Sequence, residues 1–127
     1  MSVELVAADG RHLGVQGYNW DVLHVTVQDA HLFPEDLWGP LRYHSGGLLD
    51  RHQVQTLRRF LRSKVLPRIG KNQRMFLNGD VADEDREKES AILRHEREHW
   101  KNFSLRRTVL VEILDFLKTA SAPLKVC

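Results

Sequence analysis

A chain of 127 residues, of which 42% are hydrophobic and 28% charged, is long enough to bury the core of one domain and too apolar to be disordered. Its net charge of +2 does not by itself indicate a nucleic-acid partner, and its single cysteine, Cys127, excludes an intrachain disulfide. No segment reads as a secretion signal or a membrane span. We therefore expect one domain over residues 1–127, located in the cytoplasm and without a membrane partner.

The N-terminal third carries mixed signals. Residues 2–7 partly alternate between apolar and polar side chains, which predicts a short strand. Residues 20–31 are ambiguous: Trp20, Leu23 and Val27 would share one face of a helix capped by Asn19, whereas the β-branched residues in the same stretch favour a strand. We expect the helix and keep the strand as the alternative.

The next segment contains the strongest local signal in the chain. Asp50 is a good N-cap residue, and Gln53 stands three positions later, as a capping box requires. The helix that follows has an apolar stripe made of Val54, Leu57, Leu61 and Val65. Pro67 should end it, because a proline ring clashes with the carbonyl of the preceding turn.

The second half predicts a hairpin and then a long helical region. Residues 74–77 suit a strand, and Asn78-Gly79 suits the turn of a hairpin. Asp83 is placed to cap a helical region that runs to about Thr119, with a break near residues 102–104. Taken together, the elements predict a mainly α fold of three or four helices with a short N-terminal β element. An α+β fold remains the alternative.

The segment from His95 to His99 spells H-E-x-x-H, the motif in which two histidines one helical turn apart bind zinc and the glutamate acts as general base. A zinc-dependent hydrolase using His95, His99 and Glu96 is therefore one interpretation. A catalytic zinc needs a third protein ligand, however, and no histidine follows His99. We expect the two histidines to lie at the edge of the core, with no cofactor and no catalytic residue, and keep zinc as the alternative.

A run of basic residues forms a second candidate site. No acidic residue lies between Asp50 and Asp80. The candidates for a nucleic-acid or partner surface are Arg51, Arg58, Arg62, Arg68 and Lys71. Such a run can follow a phosphate backbone. The alternative is a solvated face that pairs with the acidic residues between positions 80 and 98.

Aromatic residues concentrate in the first third of the chain and form the third candidate site. Trp20, Trp38 and Tyr43 could line a groove for a ligand or partner, since Trp and Tyr anchor many interfaces. The alternative is that they fill the core between the N-terminal elements and the capped helix.

Several short motifs occur in a fixed order. They are Asn19-Trp20, Trp38-Gly39-Pro40-Leu41, Gly46-Gly47-Leu48-Leu49-Asp50, Asp115-Phe116-Leu117-Lys118 and a closing Val126-Cys127. This order resembles a family of short uncharacterised bacterial and phage proteins, over about half of the chain. The resemblance implies a fold and no activity. The sequence therefore favours a small non-enzymatic binding or interaction module of bacterial or phage origin, with a protein partner.

Overall fold

A computed structural model describes residues 2–43, 45–84 and 103–127. Its strands are β1 (Ser2–Val6), β2 (His12–Gln16), β3 (Gly47–Leu49), β4 (Gln73–Phe76), β5 (Val81–Asp83), β6 (Ser104–Arg106) and β7 (Leu124–Val126). Its helices are α1 (Gly17–Asp29), α2 (Trp38–Arg42), α3 (Arg51–Phe60) and α4 (Arg107–Thr119). A 3-10 turn over Glu35–Leu37 precedes α2, and α3 continues through a π turn over Leu61–Val65 into a 3-10 turn over Leu66–Arg68.

The mainly α prediction is wrong, because the strands form two antiparallel sheets and the fold is α+β. The larger sheet has the order β2-β1-β7-β3, and the smaller one has the order β5-β4-β6. The strands have only three to five residues, too few for a clear alternation of apolar and polar side chains. Their pairing also joins segments that are distant in the chain, since β7, the last strand, lies between β1 and β3 in the larger sheet.

The core lies between the larger sheet and the helices. Side chains alternate along β1, with Val3 and Leu5 buried while Ser2 on the other face is exposed. The buried residues that the sheet contributes to this core are Val3, Leu5, Val15, Leu49, Leu124 and Val126. The helices contribute Trp20, Leu23, Val27, Val54, Leu57, Leu110, Ile113, Leu114 and Leu117. The apolar stripe predicted over Val54, Leu57, Leu61 and Val65 is confirmed, since all four side chains are buried.

The capping box at the start of α3 is confirmed. Gln53 donates its backbone N–H to Oδ1 of Asp50 over 2.8 Å, and the Gln53 side chain accepts from the Asp50 N–H over 2.9 Å. Pro67 lies in the 3-10 turn that follows the π turn, where the regular α-helix has already ended. Because each of the first N–H groups of α3 needs a partner, the box fixes where this helix begins.

The predicted helix over residues 20–31 is confirmed, but its start is not. Helix α1 begins at Gly17 and has Gln16 as its N-cap residue, so the prediction that Asn19 caps the helix is wrong. Asn19 lies inside the first turn and is only 2% exposed. Its Oδ1 accepts the backbone N–H of Arg106 over 3.0 Å, which joins α1 to the smaller sheet. The Asn19 side chain therefore binds a distant backbone N–H group, and it does not cap the helix as its local sequence predicts.

The hairpin is confirmed, and the helix start at Asp83 is wrong. Strands β4 and β5 pair through a turn in which Gly79 has φ +89°, a conformation that glycine adopts without strain. Asp83 closes β5, where its Oδ1 accepts from the Gln73 side chain over 3.2 Å. Of the long helical region, residues 85–102 lie outside the described part; after it the chain forms β6 and then α4, which ends at Thr119 as expected. In the described ranges, none of the helices combines the length and apolar character needed to cross a membrane.

Candidate functional site

The H-E-x-x-H segment lies outside the described residues, so the positions of His95, Glu96 and His99 remain untested. Within residues 2–43, 45–84 and 103–127, no three His, Cys, Asp or Glu side chains are grouped closely enough to hold a metal ion. The zinc-dependent hydrolase thus stays the alternative interpretation, which rests on the sequence motif alone.

The three aromatic candidates occupy different environments. Trp20 is 3% exposed, and its Nε1 donates to the carbonyl oxygen of Leu41 over 2.9 Å, so it belongs to the core. Trp38 is half-buried, with its ring centre 5.8 Å from the ring of His31. Tyr43 is 66% exposed. Trp20 therefore fills the core and Tyr43 reaches solvent, so the prediction that Trp20 and Tyr43 line one groove is wrong.

Tyr43 lines a cleft of about 550 Å³ at the start of α1, here called the tyrosine cleft. Its lining residues are Val3, Gln16, Gly17, Tyr18, Asp21, Arg42 and Tyr43. Tyr18 is 47% exposed, and its ring meets that of Phe103 edge-on at 5.5 Å. The guanidinium carbon of Arg42 lies 5.4 Å from the centre of the Tyr43 ring, within the range of a cation–π contact.

The sequence signal that would have found the tyrosine cleft is weak. Tyr18 and Asp21 are three residues apart, which places them on one face of α1, away from the buried stripe of Leu23 and Val27. Arg42 ends α2 and Tyr43 follows it, and no periodicity reveals this helix of five residues. Sequence reasoning placed Tyr43 in a groove but missed Tyr18, Asp21 and Arg42.

Positive charge reaches the tyrosine cleft from two elements, and one carboxylate, that of Asp21, is among its lining residues. Helix α1 starts with no side-chain cap and no acidic residue in its first turn, so its free N–H groups leave a partial positive charge near Gln16 and Gly17. Arg42 adds a full positive charge on the opposite wall, and Asp21 lies one turn along α1. A bound group that places a carboxylate near Arg42 would meet favourable charge from both walls.

His24 connects the two helices that carry the tyrosine cleft. It is 5% exposed on α1, and its Nε2 donates to the carbonyl oxygen of Trp38 over 3.3 Å. Burial lowers the pKa of His24, and Arg42 lowers it further, while the Trp38 carbonyl and Asp21 act in the opposite direction. The neutral imidazole, together with the Trp20 hydrogen bond, therefore holds α2 and Arg42 in place against α1.

The basic candidates divide between the two flanks of α3. Arg58 and Arg62 follow Arg51 by about two and three turns, so these three share a stripe; Arg51 and Arg62 are exposed and Arg58 is half-buried. Arg68 instead donates to the Gly79 carbonyl over 3.1 Å. Lys71 is exposed in the turn before β4.

Lys64 and Arg68 border a second cleft of about 520 Å³ on the other flank, which also includes Asp29 and an apolar floor containing Phe60 and Leu77. This cleft combines charges of both signs over a mostly apolar base. The structure thus brings Arg51, Arg58 and Arg62 together and separates Arg68 from them.

The alternative of a pairing between the basic run and the acidic residues from 80 to 98 concerns only Asp80, Asp83 and Glu84 within the described part of the chain, since the other acidic residues lie outside it. Asp80 accepts from the Asn78 side chain, Asp83 from that of Gln73, and Glu84 lies 3.6 Å from Arg106. The ion pairs within the described ranges involve Arg11, His12 and Arg106, and no basic residue from 51 to 71. The α3 cations are therefore not neutralised by any carboxylate that the structure describes.

Comparisons with models of protein families, with curated proteins and with solved structures found no match. The resemblance to short bacterial and phage proteins therefore stays a prediction. The function is therefore inferred from the arrangement of this chain's own residues, above all from the tyrosine cleft with its exposed Tyr18 and Tyr43.

Proposed function

We propose that this protein is a binding module that takes a short segment of a partner protein into the tyrosine cleft. The observation that carries the proposal is the pair of exposed tyrosine rings, Tyr18 at 47% and Tyr43 at 66%, on one cleft of about 550 Å³. Tyrosine offers a large amphipathic contact area with only two side-chain torsions to fix, and both Tyr and Arg are enriched among residues that dominate binding energy.

The rigidity of the cleft supports this function. The Tyr18 side of the cleft is fixed by Asn19, which is buried in the first turn of α1, and the Tyr43 side is fixed by the hydrogen bonds of Trp20 and His24 to α2. A surface that is already ordered loses little conformational entropy when a partner binds. Little of the free energy gained from the contact area of the two rings is therefore needed to order the cleft when a partner binds.

The charges indicate which segment fits. We expect an apolar or aromatic side chain between the tyrosine rings, next to an acidic residue that meets Arg42 and the start of α1. The proposal places the protein in the cytosol, which the single cysteine of the chain supports. It involves no chemical step and no cofactor.

Site-specific photo-crosslinking tests the proposal. The protein is produced in cells that naturally encode it, with benzoylphenylalanine in place of Tyr43 or, as a control, in place of Val111, which is 37% exposed on α4. We expect a discrete protein adduct from position 43 that position 111 does not give. The adduct should become several times weaker when Arg42→Glu is added. The proposal is overturned if both positions give the same adducts, or if position 43 gives none.

A further inference from the structure

We infer that the exposed side of α3 is a second binding surface, which binds the phosphate backbone of a nucleic-acid duplex without reading its sequence. The surface consists of Arg51, Arg58, Arg59 and Arg62 and is called the basic face below. It lies on a different helix from the tyrosine cleft and does not depend on the function proposed for that cleft.

Positive and negative charges are separated along the chain. Residues 51–79 contain eight Lys and Arg residues and no Asp or Glu. Because the whole chain is only +2, the remaining residues carry a net charge of −6. A near-neutral protein with such an asymmetry has one strongly positive region, which attracts a polyanion although the total charge does not.

The charged groups of the basic face lie at or near the protein surface. Arg51, Arg59 and Arg62 are exposed, and Arg58 is half-buried. None of them forms an ion pair with a carboxylate in the described ranges. The helix that carries them is also rigid, since the capping box fixes its start and Val54 and Leu57 are buried beneath it. Binding would therefore bring phosphates to charges that are already in position.

The composition of the basic face favours a duplex over other polyanions. The large hydrophobic side chains that the described structure exposes are Tyr18, Tyr43, Leu48, Val81 and Val111, and none of these belongs to α3. A single strand is usually held by aromatic rings that stack on its bases, and a membrane surface by apolar side chains that enter it. The basic face offers neither, whereas guanidinium groups match phosphate oxygens in geometry.

The size of the basic face sets the expected affinity. Arg51 and Arg62 are about 16 Å apart along the helix at 1.5 Å per residue, which is short enough for one side of a duplex. Each phosphate contact adds about −0.9 to the slope of log K against log salt, so four contacts predict a slope near −3.6. Between 50 and 200 mM salt, the affinity should then fall roughly a hundredfold.

Fluorescence anisotropy with a labelled 20-base-pair DNA duplex of arbitrary sequence tests this inference on the full chain. We expect salt-dependent binding by the wild-type protein. The variant with both Arg51→Gln and Arg62→Gln should lose about two units of slope, so that its affinity falls only about tenfold over the same salt range. The control is Lys125→Gln, which removes an exposed charge on the outer side of the larger sheet and should leave both affinity and slope unchanged.

Three results would overturn the inference. The first is no binding at 50 mM salt with 100 µM protein. The second is a loss of slope in the Lys125→Gln control that is about half of the loss in the double variant. Because the control removes one charge and the double variant removes two, this result would indicate attraction by net charge alone. The third is tighter binding to vesicles of phosphatidylglycerol and phosphatidylcholine, or to a single strand of the same sequence, than to the duplex. Circular dichroism of each variant shows whether the fold is retained, and the exposure of Arg51 and Arg62 makes this the expected result.

Discussion

Trp20, which is buried, and Trp38, which is half-buried, should lose different amounts of stability when each is replaced by Phe. In Trp20→Phe, the indole N–H that donates to the Leu41 carbonyl is lost, and that carbonyl remains in the core. In Trp38→Phe, the N–H that is lost is buried and has no hydrogen-bond partner among the described residues. Both changes replace an indole by a phenyl ring, so the comparison separates hydrogen bonding from ring size.

The magnitudes follow from the cost of an unsatisfied buried group, about 1–3 kcal/mol. Trp20→Phe creates such a group at Leu41, and the loss of ring contacts adds to the cost because Trp20 is almost fully buried. Trp38→Phe removes such a group, which offsets the smaller loss of contacts at a half-buried site. The free energy of unfolding should therefore be lower in Trp20→Phe than in Trp38→Phe by at least about 2 kcal/mol.

Urea unfolding followed by circular dichroism measures this difference, provided that the slope m is the same for both variants. Thermal unfolding should show the same order, with a gap in Tm of roughly 6 °C or more for a chain of this length. Equal losses in the two variants, or a larger loss in Trp38→Phe, would refute the assignment of Trp20 to the core and of the Trp38 N–H to an unsatisfied site.

Two further predictions concern His24 and the start of α3. Because burial holds the pKa of His24 below its ordinary value, the unfolded chain binds a proton at a higher pH than the folded one. The free energy of unfolding should thus fall as the pH drops below about 6.5 and level off below the pKa of His24 in the folded state. Between pH 7.5 and 5.5, the fall in Tm should be smaller in His24→Gln than in the wild-type protein. An equal fall in Tm in the two proteins would contradict this role of His24. Asp50→Ala should lower the free energy of unfolding by about 1 kcal/mol through loss of the cap, whereas Asp50→Asn, which can still accept from Gln53, should lose clearly less; equal losses in urea unfolding would contradict the capping role.

Sequence reasoning succeeded where the determining contacts are local. The capping box of Asp50 and Gln53 involves residues three positions apart, and the Asn78-Gly79 turn joins two strands that are neighbours in the chain. The stripes of α3 and α4 repeat with the period of the helix they form. Each of these signals lies within a few residues, so nothing distant was needed to interpret it.

Sequence reasoning failed where the determining contacts join residues that are far apart in the chain. Strand β7 has three residues and is stabilised by pairing with β1 and β3, about 120 and 75 positions away in the chain. No short window contains that information. Asn19 shows the same effect for one side chain, since its local preference for a helix cap is overridden by the Arg106 N–H, 87 positions away. The α+β class depends on these long-range pairs, and so it was missed.

The prediction of the candidate site was incomplete for a related reason. Aromatic composition could not separate Trp20, which fills the core, from Tyr43, which reaches solvent, because exposure depends on where α2 lies against α1. The basic run was visible in the sequence, but its separation into the stripe of Arg51 and the flank of Arg68 depends on the turns that follow α3. In both cases the sequence showed which residue types could form a site, but it did not show which of those residues lie together in the structure.

The two proposed surfaces are supported by different parts of the same core, which makes their effects separable. The tyrosine cleft depends on the contacts between α1 and α2, whereas the basic face depends on the capped start of α3 and its buried stripe. Exposed residues without shared partners contribute nearly additively. Arg42→Glu should therefore make crosslinking at position 43 several times weaker without changing the salt dependence of duplex binding beyond the effect of one distant charge. The Arg51 and Arg62 substitutions should change that salt dependence and leave the crosslinking as it is. If each set of changes impaired both activities, the two surfaces would have to be parts of a single interface.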